Sequence, residues 1–183
     1  MAEKITLKKR IAALEQVAGF VDSVRNLKQL LSEIMRVSTE LLDAEASSLM
    51  LYDPDTRKLY FEVALGEKSG KVRRRRIKLN QGIAGHAAAA GQAVNVKNVY
   101  ADKRFYRGVD QKSGFKTTSI LAVPLQRKER LIGVLEILNK KGGKPFRKDD
   151  VALAKIIASQ AAIVVENAQL YANNLKDVRY DVK

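Results

Sequence analysis

Cysteine is missing from this chain of 183 residues. Its absence excludes disulfides, thiolate catalysis and cysteine-held metals. Histidine is nearly missing too: His86 stands alone, so a zinc site has too few ligands and no metal is expected. No apolar run reaches the roughly 18 residues of a membrane span. The opening MAEKITLKKR lacks the apolar stretch of a signal peptide. No nucleophile stands with a base and no Walker-type phosphate loop occurs, so no catalytic residue is expected and the chain reads as no enzyme. Internal repeats and low-complexity linkers are absent. Together these absences fit a cytoplasmic location. Acids are the scarce charge: 20 Asp and Glu against 34 Lys and Arg leave a formal net charge of +14. That balance favours anionic partners or ligands, but no DNA-reading motif accompanies it, and nucleic acid is not the expected partner.

What is present is a globular core, with 46% apolar residues arranged in two kinds of period. Leu7, Ile11, Leu14, Ala18 and Val21 form a narrow heptad-like stripe on a helix over residues 5–24. Asn26, with Gln29 behind it, suits the cap of a second helix carrying Leu27, Leu30, Leu31, Ile34, Leu41 and Leu42. The period then changes to that of strands: 47–52 and 59–64 joined by Asp53-Pro54-Asp55, and 73–79. A short helix opens at Gly82 and stops at Gly91, and a short strand covers 93–96. A second hairpin pairs 118–126 with 130–139. The last helix starts at Asp149 and carries an apolar seam from Leu153 through Ile157, Ala161, Val164, Ala168, Tyr171 and Leu175 to Val178. Such a helix is long enough to leave the domain body and need a partner. Short turns between neighbouring strands predict an α+β fold, a mainly antiparallel sheet flanked by helices, with long N- and C-terminal helices.

Four features invite a ligand or a simpler explanation. Gly82-Ile83-Ala84-Gly85 offers free backbone N–H groups at a helix start, which attract phosphate; a tight strand-to-helix turn needs the same glycines. Residues 98–117 have no helical or strand period, yet Tyr100, Phe105, Tyr106 and Phe115 crowd there, as a stacking platform or an apolar plug. Asp110 and Thr117 suit either ligand contact or capping of the segment's own turns. Glu136 stands among apolar neighbours, and the pattern on its own favours solvent. The basic run Arg73-Arg74-Arg75-Arg76 reads foremost as a solvated, charge-protected edge strand, with an acidic partner as the alternative.

Three segments, "NQGIAGHAAAAGQAVNV", "YADKRFYRGVDQKSGFKTTSILAVPL" and "GVLEILNKKGGKPFRKDDVALA", together with the ending "VVENAQLY", make the chain resemble a GAF domain over about residues 26–171. The look is nearest to the GAF domains of cyclic-nucleotide phosphodiesterases and adenylyl cyclases. The resemblance implies a PAS/GAF-like fold, with residues 1–25 as a signalling and dimerisation helix, 26–160 as the sensor domain and 161–183 as the exit helix. It implies that 98–117 is a lid over a bound small molecule, with cAMP or cGMP the leading ligand and no cofactor. Ligand contacts then fall on Ser48, Ile83, Ala84, Tyr106, Asp110, Ser113, Thr117 and Glu136. Asn139, Lys140, Phe146 and Asp150 match a family signature that acts as a structural brace, while Val151 replaces its final Glu. Ala64 and Leu65 stand where guanine-binding relatives carry an aromatic and an acid. The missing cysteine argues against a bilin-linked photosensor and against the thiol-dependent methionine-sulfoxide reductases of this fold. The expected role is a small-molecule sensor that signals through dimeric terminal helices to an output domain or partner protein. A ligand-free dimerisation scaffold, or a basic adaptor for nucleic acid or an acidic partner, is the alternative.

Overall fold

The computed structural model describes residues 27–67, 69–71 and 75–178. The helix expected over 5–24, the cap Asn26, and Arg73 and Arg74 of the basic run lie outside the described residues. Within them, helix α1 (Leu27–Leu41) leads to β1 (Ala44–Asp53) and β2 (Lys58–Leu65), then to the short β3 (Arg76–Lys78). Helix α2 (Gly82–Ala90) and β4 (Val94–Val96) follow, then helix α3 (Gly108–Ser113), β5 (Ile120–Arg127), β6 (Arg130–Lys140) and α4 (Lys148–Val178). All pairings are antiparallel, and the six strands lie in the order β3-β2-β1-β6-β5-β4.

Strand alternation divides the interior into two cores, one on each face of the sheet. Leu121, Val123, Leu135 and Ile137 face α1 and α4; Ile120, Ala122 and Val134, their sequence neighbours, face α2. The α1 stripe Leu30, Leu31, Ile34, Met35 and Leu41 is buried against the first face. So is the first half of the α4 seam, Leu153, Ile157, Ala161 and Val164, joined by Ala154, Ala158, Ala162 and Val165. The domain body therefore covers Val164 itself, and among the described side chains of α4 the large apolar ones left exposed are Ile156 and Leu170. Lys148–Leu170 has the length and mean hydropathy of a membrane span, but 44% of its apolar window is buried in this core. The helix is continuous across residues 160 and 161, where the sequence suggested a domain boundary.

Two elements differ from the reading of the sequence. Strand β3 is shorter than 73–79, covering only Arg76–Lys78, with Ile77 inward and its neighbours in solvent. The segment 98–117, expected to lack regular structure, holds a 3-10 turn at Val99–Ala101 and the six-residue α3. Elements of one turn or so are too short to impress a period on sequence.

Candidate functional site

Opposite residues of four strands form a row on the second face: Ala64, Ser48, Glu136 and Ala122. A β-bulge in β2 contributes to it. Phe61 lies opposite Met50 and Val63 opposite Leu49, leaving Glu62 as the extra residue. The added residue moves Val63 to the α1–α4 face and Ala64 to the other. Above this row α2 begins. Its N-cap Gln81 has extended backbone and makes no side-chain cap, so the first N–H groups of the helix are not satisfied by it. Gly85 permits this placement, since a Cβ there would stand 2.5 Å from the Lys78 carbonyl oxygen. Gly91 ends the helix in the left-handed region, at φ 63°.

Residues 98–117 close the top. Asn98 accepts the Tyr100 N–H (3.1 Å), Tyr100 and Phe105 meet edge to face, and the Arg107 guanidinium lies over the Tyr100 ring. Arg104 pairs with Asp102 and holds its carboxyl down to about 2. Helix α3 is tied at both ends. Arg75 Nη1 donates to the Gly108 carbonyl at 2.9 Å, and Asp110 accepts from Thr117 through both oxygens, from N–H (2.8 Å) and Oγ1 (2.7 Å). Ser113 Oγ accepts the Phe115 N–H.

Sheet, α2 and lid line a half-open cavity of about 90 Å³, measured as the space open to the centres of water-sized spheres. That is room for several waters at about 10–15 Å³ each. All eight residues singled out in the sequence line it: Ser48 and Glu136 from the sheet, Ile83 and Ala84 from α2, and Tyr106, Asp110, Ser113 and Thr117 from the lid. Glu136 lies on this wall, away from the solvent face that its pattern alone favoured. Desolvation pushes its carboxyl up to about 7, opposed by the Ser48 hydroxyl, which donates to Oε2 at 3.1 Å, and reinforced by the charge of Asp110. Most of the remaining wall is apolar: Phe61, Ile77, Phe105, Phe115 and Leu138 were not named as site residues. Phe61 and Ile77 could have been found from the β2–β3 register, since Leu59 opposite Ile77 sets the face; the lid phenylalanines carried only a compositional signal.

Behind the cavity the four signature residues fix the chain where β6 leaves the sheet. Lys140 Nζ donates to Asp150 Oδ1 at 2.8 Å and to the Leu42 carbonyl, and lies 5.7 Å from the Phe146 ring centre. Asp150 Oδ2 accepts the Arg147 N–H, and both side chains of the pair are largely buried, 14% and 6% exposed. Asn139, at φ 55°, accepts from Thr118 and Ser119 through Oδ1 and donates to Glu45 and the Lys116 carbonyl. On the opposite edge Arg76 bonds Asp53 and lies over Tyr60, whose hydroxyl pKa is raised mainly by burial. Among the described residues no cluster of His, Cys, Asp and Glu could hold a metal ion.

Residues 26–165 match the profile of the GAF domain. The chain is similar to the probable 3',5'-cyclic phosphodiesterase pde-5 of Caenorhabditis elegans, 29% identical over 167 residues, covering 86% of this chain and 23% of that protein. It thus spans about a quarter of that relative's length. Among solved structures it is similar to the GAF domain of a phosphoenolpyruvate-protein phosphotransferase from Coxiella burnetii, with TM-score 0.80, 19% identity, and 90% of this chain and 96% of that one covered. It is also similar to free methionine-R-sulfoxide reductase from Neisseria meningitidis in complex with its substrate, with TM-score 0.74, 21% identity, and 90% and 92% covered. These structural likenesses bear on the fold.

Proposed function

The chain belongs to the GAF domain family, and from that premise we propose that it is a cytoplasmic regulatory module that binds a cyclic mononucleotide beneath its lid. The observation that carries this reading is the composition of one cavity. An uncapped helix start lines it at Ile83 and Ala84, and a hydroxyl–carboxyl pair lines it at Ser48 and Glu136. Helix starts attract phosphate, and the carboxyl pair offers partners to sugar or base. The likeness to a protein named as a cyclic phosphodiesterase supports the ligand class. Ala64 and Leu65 bring neither a stacking ring nor an acid to the wall, which disfavours guanine and favours adenine weakly. A cyclic mononucleotide exceeds the present cavity, so the lid moves outward to admit it and is mobile until it closes on ligand. Homodimerisation through the terminal helices, residues 1–25 and 161–183, carries the change to an output domain or partner protein. With no cysteine in the chain, a regulatory role is favoured over the reductase chemistry of its structural neighbour.

A ligand of about 22 non-hydrogen atoms at ~0.3 kcal/mol each gives on the order of −7 kcal/mol, a Kd near 10 µM. Millimolar cAMP should therefore raise the melting temperature by roughly 5–10 °C, with cGMP weaker and a linear mononucleotide inert. No shift with either cyclic nucleotide, in protein shown by mass spectrometry to carry no small molecule, would overturn the ligand and leave the dimerisation scaffold. Sedimentation tests the dimer separately.

A further inference from the structure

Among the described residues the cavity is lined by two carboxyl groups and no cation. Among the described residues that line it only Glu136, Asp110 and Tyr106 can ionise, and none is Lys, Arg or His, in a chain of net charge +14. The two acids are differently placed. Asp110 has both oxygens occupied by Thr117. Glu136 has one: Oε2 takes the Ser48 hydroxyl, and among the described residues no group donates to Oε1. From the elements packed around it, β1 presents Ser48, β5 presents Ala122, α2 presents Ile83 and Ala84, and the lid presents Asp110 and Tyr106. Among the described residues its only charged neighbour on this wall is therefore another acid. An anion seated at the α2 start shares this small, largely apolar space with two negative charges, whose repulsion is weakly screened there.

We propose that the cavity takes up an anionic ligand together with one proton, carried by Glu136, which makes this residue the filter of ligand charge. This rests on the reading of the cavity as the ligand site and adds how that site is regulated. Protonation removes one negative charge and turns the free oxygen side of Glu136 into a group able to donate as well as accept. One O–H bond forms on Glu136, the proton leaves the acid form of the solvent buffer, and no oxidant is needed. Burial already pushes this carboxyl up to about 7, so proton uptake falls in the physiological range. Linkage fixes the sign. Where Glu136 is ionised in the free protein and protonated in the complex, affinity for an anion falls about tenfold per pH unit; below the free carboxyl's own titration it levels off.

The test is calorimetric titration with cAMP, whose phosphodiester keeps a single charge from pH 6 to 9, in pairs of buffers with different ionisation heats. The wild type is expected to take up close to one proton per cAMP at pH 8 and to bind about tenfold more weakly at pH 9 than at pH 8. Glu136→Gln should bind with no proton uptake and a flat profile. Ser48→Ala removes the hydroxyl that favours the ionised form, so the break in the profile should move to higher pH, a shift that a merely structural role for Ser48 would not produce. A flat wild-type profile with cAMP bound, or a slope that survives in Glu136→Gln, overturns the proposal and leaves the cyclic-nucleotide reading standing. Absence of cAMP binding to all three proteins at every pH overturns both.

Discussion

Asp110 and Thr117 hold one another: the carboxylate accepts both the backbone N–H and the hydroxyl of a residue at the far end of the lid. Their bond closes α3 and the stretch after it into a single ring, so Asp110 acts first as a fastener of the lid. Asp110→Ala should weaken closure by about 2 kcal/mol, the scale of hydrogen bonds to a charged group. Tryptic cutting after Lys112 and Lys116 should then speed up roughly tenfold or more. Unchanged cutting would show that other contacts keep the lid shut.

Arg75 reaches from the residue before β3 to the carbonyl of Gly108. Replacing it with alanine removes this strap between that edge and the start of α3, at a cost of about 1–2 kcal/mol. Hydrogen exchange at residues 108–113 should quicken while that of β1 and β6 stays as in the parent.

Lys140→Met leaves Asp150 largely buried with only the Arg147 N–H beside it. A buried charge stripped of its partner typically costs about 3–5 kcal/mol. Urea unfolding should show a loss near the lower figure, and a parent-like midpoint would mean that the pair contributes little.

Ligand-free stability should depend on pH through Glu136. Its folded carboxyl is raised to about 7 from an ordinary 4.5, so the folded state holds a proton the unfolded chain has released. Stability is then full below about pH 4.5 and is lost as pH rises through 7, by on the order of 3 kcal/mol. Glu136→Gln should flatten this slope, measured as the melting temperature between pH 5 and 8.

Gly85→Ala would drive a Cβ against the Lys78 carbonyl. Backbone must move, at about 1–3 kcal/mol, and the movement falls on the start of α2 at the cavity wall. Both the urea midpoint and cAMP affinity should drop.

Much of the scaffold was legible because its signals are local. Apolar runs bounded by turn residues marked β1, β2, β5 and β6, and Gly91 marked the end of α2. Where the structure went beyond the sequence, the information was non-local or too brief. The bulge at Glu62 depends on how β1 pairs with β2 and has no marker in β2 itself. Helix α3 spans six residues and is held by Arg75, 33 positions away. The direction of Glu136 follows from its place opposite Ser48 and Ala122, whereas its neighbours in sequence pointed to solvent. Asn139 belongs to a signature legible in the sequence, but its bonds to Glu45, Lys116, Thr118 and Ser119 are visible only once three segments meet.

Strand β6 carries Glu136 and, four residues on, Lys140, which grips Asp150 at the base of α4. The 31 residues of that helix extend about 46 Å at ~1.5 Å each. Its residues from Leu153 to Val165 are packed against the sheet, so the length that extends past the packed part is the stretch beyond Val165, roughly 20 Å at ~1.5 Å per residue. A shift of β6 would therefore take the packed half of α4 with it, and the overhang would follow as a rigid rod.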